Sequence, residues 1–197
     1  KRTIVTLTAL LLAPLTALHA ETAAPQRPFK KLIEYGWDVP YPDQVREDIR
    51  NMEKTPFDGI IFRLREWNHA FDPRPWDEAK LKPQLDDLAA IEWKAFTDNF
   101  LCLYAANNWK MDWFNDEQWK SIEANLRLSA KAARIGRCVG IVFDPEPYGD
   151  NPWAYAGKNR DHSFAEVEAQ VRKRSAQFMT AIQSQMPEVR VLTFFHQ

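Results

Sequence analysis

Short apolar runs alternate with longer amphipathic or polar stretches along most of the chain. Residues 31–37 (KLIEYGW), 57–64 (FDGIIFRL), 100–105 (FLCLYA), 139–143 and 189–195 (VRVLTFF) are compact, apolar and of strand length. The stretches 41–54, 85–99, 116–135 and 164–185 read as helices. In 116–135, Trp119, Ile122, Leu126, Leu128 and Ala132 make one apolar face. The helix boundaries carry their own signals. Pro42 stands near the first start, Gly136 suits a C-terminal cap, and Ser163 with Glu166 forms a capping box.

Strand–helix alternation predicts an α/β fold with a parallel sheet and right-handed crossovers. An open doubly wound sheet and a (β/α)8 TIM barrel both satisfy that pattern. The first strand ends in Gly36-Trp37-Asp38 rather than a glycine-rich phosphate turn, and polar or aromatic residues follow every strand, which favours the barrel. A complete barrel takes about 250 residues. The 197 residues therefore read as its N-terminal part, about five strands of a truncated sequence, with the fifth left as an open edge.

The start of the chain has a different character. Lys1-Arg2, an apolar stretch over 4–18 and Ala17-Leu18-His19-Ala20 make a secretory signal over 1–20, cleaved after Ala20. Pro14 and the threonines keep that stretch short of a membrane span, so no stable membrane insertion is expected after cleavage. Residues 21–28 form a flexible lead-in, and 29–197 the partial TIM-barrel catalytic domain, in a secreted or periplasmic protein. Charge is balanced, 26 basic against 27 acidic residues with no basic stripe, which argues against a nucleic-acid partner. Export would permit a disulfide, yet Cys102 and Cys138 read as buried free thiols.

The chemistry concentrates in Gly140-Ile-Val-Phe-Asp-Pro-Glu-Pro-Tyr-Gly149. Residues two apart in a strand point the same way, so Asp144 and Glu146 would present two carboxyls to one space at a strand's C-terminal end. Neighbouring carboxyls push their proton affinities apart, leaving one protonated as a general acid for glycosidic cleavage. Glu146, with the longer reach, is expected to be the acid/base and Asp144 its helper. A carbohydrate substrate would be bound by Trp37, Asp38, Arg63, Asn107, Trp109, Tyr148, Trp153 and His196. Packing is the first reading for Trp37, and sugar stacking for Trp109. Arg63 would meet a substrate oxygen or carboxylate, or pair with Glu34 or Asp144.

The segment resembles the fourth-strand motif of family 18, chitinase-type glycoside hydrolases, which ends in Asp-x-Glu-Tyr. By that resemblance Glu146 matches the proton donor and Asp144 the residue that assists the substrate N-acetyl group. The family's two earlier aspartates fall on Val139 and Val142, and its tryptophan on Pro145. The broader resemblance, to glycoside hydrolase (β/α)8 barrels with an acid on strand four, implies a hydrolase needing no cofactor and no metal. Its nucleophile would lie beyond residue 197 or come from the substrate. Two alternatives keep the barrel. One is a divalent-metal-dependent hydrolase with Asp38, Asp144, Glu146 and His196 as ligands; the other is a non-catalytic carbohydrate-binding protein.

Overall fold

The computed structural model describes residues 30–105, 110–149 and 151–194; the expected signal and lead-in lie outside them. The order is β1 (Ile33–Glu34), α1 (Pro42–Met52), β2 (Gly59–Phe62), α2 (Glu78–Ala90), β3 (Phe100–Tyr104), α3 (Asp116–Ile135), β4 (Gly140–Asp144), α4 (Phe164–Gln183) and β5 (Arg190–Thr193). All five strands are parallel and pair in sequence order. The sheet curls into a half-barrel that brings its two edges toward each other. Tyr35 after β1 and Phe194 after β5 have ring centroids 4.5 Å apart. At the opposite end, Asp98 bonds Lys31 before β1 and Arg190 of β5, each at 3.0 Å.

Alternation along the strands separates two apolar layers. Outward residues Ile60, Phe62, Leu101, Leu103 and Ile141 join the helix faces in the main core. Inward residues Ile61, Phe100, Cys102 and Val142 make a smaller cluster with Val39. The strands of the inner layer begin close together. A Cβ on Gly140 would collide with the Arg190 carbonyl, and one on Gly59 with the Asp98 carbonyl, so glycine is required where those backbones meet.

The helices are anchored by polar contacts as well as by their faces. Asn115 and Ser163 cap α3 and α4, the latter through the expected reciprocal box with Glu166. Arg174 of α4 is buried over the Trp119 ring and donates from Nε to the Trp113 carbonyl at 2.9 Å, fastening α4 to the start of α3. Among the described residues no helix is long and apolar enough to cross a membrane.

Three local expectations differ from the structure. The second helix spans Glu78–Ala90, not 85–99. Asp77 caps it, and Leu81, Leu85 and Leu88 bury one stripe despite Pro83. The residues after it leave the helix because Glu53 Oε1 takes the backbone N–H of Lys94, Ala95 and Phe96 at 2.7, 2.8 and 3.2 Å. Strand β1 keeps two residues rather than seven, as an edge strand with a partner on one side. Gly136 ends α3 with φ −72°, and the left-handed residue is Arg137. Glycine suits position 136 because a Cβ would press on Leu88, at 3.2 Å, and on Phe62.

Candidate active site

Strand β4 stops at Asp144 because the two prolines after it have no N–H to add to a ladder. The Asp144 carbonyl accepts from Ala105 N–H at 2.8 Å, and the chain then turns. Asp144 Oδ1 accepts the Glu146 backbone N–H at 3.0 Å, and the Pro145 carbonyl accepts the Trp153 indole N–H at 2.7 Å. Trp153 itself leans edge-on against Phe143, on the outer side of the strand. The turn bearing both acids is thus tied from inside by a carboxyl and from outside by an indole.

Asp144 is 6% exposed and Glu146 half-buried. Both act on the phenol of Tyr35, which stands inward two residues after Ile33. Burial, the Cys102 thiol and the charges of Asp144 and Glu146 push Tyr35 up to about 12, against the pull of Arg63. The Tyr35 phenol, on the first strand's side of the sheet, thus stands within electrostatic reach of both carboxyls. Burial raises the proton affinity of Asp144, the Glu146 N–H lowers it, and the Glu146 charge raises it further, for a net upward shift. Tyr148, exposed beside the turn, is raised by a hydrogen bond to the Glu146 carboxyl.

Arg63 follows β2 on the inward side. Its Nη2 donates to the Tyr41 hydroxyl at 3.1 Å, and its guanidinium carbon lies 5.1 Å from the Tyr41 ring and 5.8 Å from the Tyr104 ring. Neither Glu34 nor Asp144 pairs with it. Tyr104 is level with Asp144 on the adjacent strand. Burial raises Tyr104 above the usual phenol range and pushes Cys102 up to about 12. Both cysteines are free and buried.

Other expected residues fall elsewhere. Asp38 lines a groove with Glu34, Asp48 and Asn51 between β1 and α1, away from the acid pair. Trp37 is 100% exposed. Trp76 is buried with its indole on Asp72, and Trp67 stacks on it, so these long-connection tryptophans serve the core. Asn107, Trp109 and His196 lie outside the described residues. Among the described residues, no three His, Cys, Asp or Glu side chains gather as a metal site.

Tyr35, Tyr41, Tyr104 and His69 join the mouth without having been expected there. For Tyr35 and Tyr104 the signal is the two-residue period that also marks Arg63 and Asp144. His69 had no such signal. Residues 68–70 return to the end of β3, where Tyr104 N–H donates to the Asn68 carbonyl and Ala70 N–H to the Tyr104 carbonyl, each at 2.8 Å. This bridges His69 to Tyr104, with ring centroids 6.5 Å apart.

The surface around the mouth is aromatic. Tyr35, Trp37, Tyr148, Trp153, Tyr155 and Phe164 are all exposed, and all stand at the C-terminal end of the strands or in the segments leaving it. Beside them a cleft of about 480 Å³ opens between the segments after β3 and β4, lined by Lys110, Trp113, Asn151, Pro152 and Lys158 among others. No family model matches the sequence, and no curated protein matches it either.

Proposed function

We propose that the chain is part of a (β/α)8-barrel glycoside hydrolase, exported by its signal-like start, with Glu146 as general acid/base and Asp144 assisting. One observation carries this reading: Asp144, buried and raised in proton affinity, ends β4, and Glu146 follows on a turn where its N–H bonds the Asp144 carboxyl. The exposed aromatic rim supports it, since ring faces suit the apolar faces of sugars.

Chemically, the pair would supply a proton where a leaving oxygen arrives. Burial and the neighbouring carboxylate both raise the proton affinity of Asp144, against the pull of the Glu146 N–H. Glu146 is nearer solvent, on a turn whose backbone is bonded to Asp144, and would deliver the proton to the glycosidic oxygen. Asp144 would return a proton to Glu146 or hold its orientation. The oxocarbenium-like centre then needs a second group, from the substrate or from elsewhere in the barrel.

Replacing Glu146 with Gln is expected to lower turnover of a cleaved oligosaccharide about 10²- to 10⁴-fold while binding persists. Steady-state kinetics with calorimetric binding on the same substrate checks this. Unchanged turnover removes Glu146 from the acid role. Binding with no turnover by the unmodified protein favours the non-catalytic carbohydrate-binding alternative, which the same aromatic rim supports.

A further inference from the structure

Two arginines leave the end of β2 and meet opposite environments. Arg65 donates to both oxygens of Asp43 at 2.9 and 2.6 Å, and its guanidinium lies 4.0 Å from the Tyr41 ring centroid. Arg63, on the inward side, makes no ion pair among the described residues. Its Nε is buried with no acceptor. The neutral Tyr41 hydroxyl and two aromatic faces hold it in place without neutralising it. A half-buried guanidinium with an unused N–H is matched best by an oxyanion arriving in its plane, and a carboxylate fits that fork by paired hydrogen bonds.

The charge has a defined place relative to the acids. Arg63 stands at the end of β2 and Asp144 at the end of β4, with Tyr104 of β3 between them. Two strand spacings separate β2 from β4 by roughly 10 Å. An anion held at Arg63 therefore leaves Glu146 free to meet a bond further along the same ligand.

We propose that Arg63 binds the carboxylate of an acidic sugar unit, so that the substrate is a uronic-acid-bearing glycan. This rests on the glycosidase reading of Asp144 and Glu146, and the two can fail separately. The test uses uronate oligosaccharides, the same oligosaccharides with their carboxyls reduced to alcohols, and sulfated oligosaccharides lacking carboxyls. Binding is measured by calorimetry on the Glu146→Gln variant and hydrolysis on the unmodified protein. The acidic compounds are expected to bind about tenfold or more tightly than their reduced counterparts. Arg63→Gln should abolish that preference, and Arg63→Lys should keep the charge but lose part of it. Thermal melts establish that the variants fold; should Arg63→Gln not fold, the lysine variant carries the test, and an undiminished preference there overturns the proposal. Acid-selective binding without hydrolysis supports the role of Arg63 and rejects Glu146 as the acid. Equal handling of acidic and reduced compounds, or equal binding of the sulfated ones, overturns the carboxylate assignment. Neither binding nor hydrolysis of any compound overturns both.

Discussion

Asp98, just below β3, and Asp144, at the top of β4, are shielded from water to the same degree, each 6% exposed. Their proton affinities nonetheless move in opposite directions. For Asp98 burial pushes upward, but the Thr97 hydroxyl, Lys31 and Arg190 outweigh it and hold the carboxyl below the usual range. For Asp144 burial also pushes upward, and a single backbone N–H opposes it beside another carboxylate. Charges near the strand starts are compensated, as with Glu53 and its three backbone donors. Among the described residues at the strand ends, Asp144 has one donor and Arg63 has no counter-ion. Burial alone therefore does not mark a site; burial without compensation does. In α/β barrels generally, stability residues gather at one face and chemistry at the other.

The largest expected effect breaks the stable end. Gly140→Ala places a Cβ on the Arg190 carbonyl and 2.9 Å from the Phe100 ring. Because these are backbone and core atoms, the loss of stability should be about 3 kcal/mol or more, measured by denaturant unfolding. A loss under about 1 kcal/mol would mean that β4 and β5 can separate at their start, and that this end is looser than its ion pairs imply.

Much of this division was legible in the sequence, and the exceptions have physical causes. The short apolar runs that hold β2 to β5 and the Ser163–Glu166 box are local features, and each strand falls within its run or one residue past it. The shifted α2 is not local. Its end depends on Glu53 capturing three amides some 40 residues away, which no spacing near residue 94 reveals. The paired acids at 144 and 146 were readable from alternation and the prolines. Arg63 and Arg65 share one parity, so their split was not readable; that Arg63 has no counter-ion among the described residues is a property of tertiary surroundings. His69 reaches the mouth through a return of the chain to β3, and nothing adjacent in sequence encodes that pairing.

A smaller effect sharpens the comparison at Asp98. Its folded-state affinity lies below the reference of 3.8, so the stability it contributes is present above that value and lost as pH falls through the lowered folded value. Asp98→Asn at neutral pH should therefore cost about 1–2 kcal/mol, less than a fully buried pair because Lys31 and Arg190 remain partly in water. Unfolding at pH 7 and at acidic pH checks the sign: the deficit should shrink on acidification.

Asp144→Asn should do the reverse, with a gain at neutral pH smaller than either loss. The folded-state affinity of Asp144 lies above its reference of 3.8. The stability it contributes is full below 3.8 and is lost as pH rises through the raised folded value. Burial and the Glu146 charge oppose ionisation of the native carboxyl as pH rises, and the amide variant carries no such charge. Asparagine can still accept the Glu146 N–H through its carbonyl oxygen, so the turn loses no bond. Thermal melts should show the variant more stable than the native chain at pH 7 and equal to it well below pH 3.8. If Asp144→Asn instead destabilises at pH 7 as Asp98→Asn does, then the carboxylate at the top of β4 is compensated, and the contrast between the two ends of the sheet does not hold.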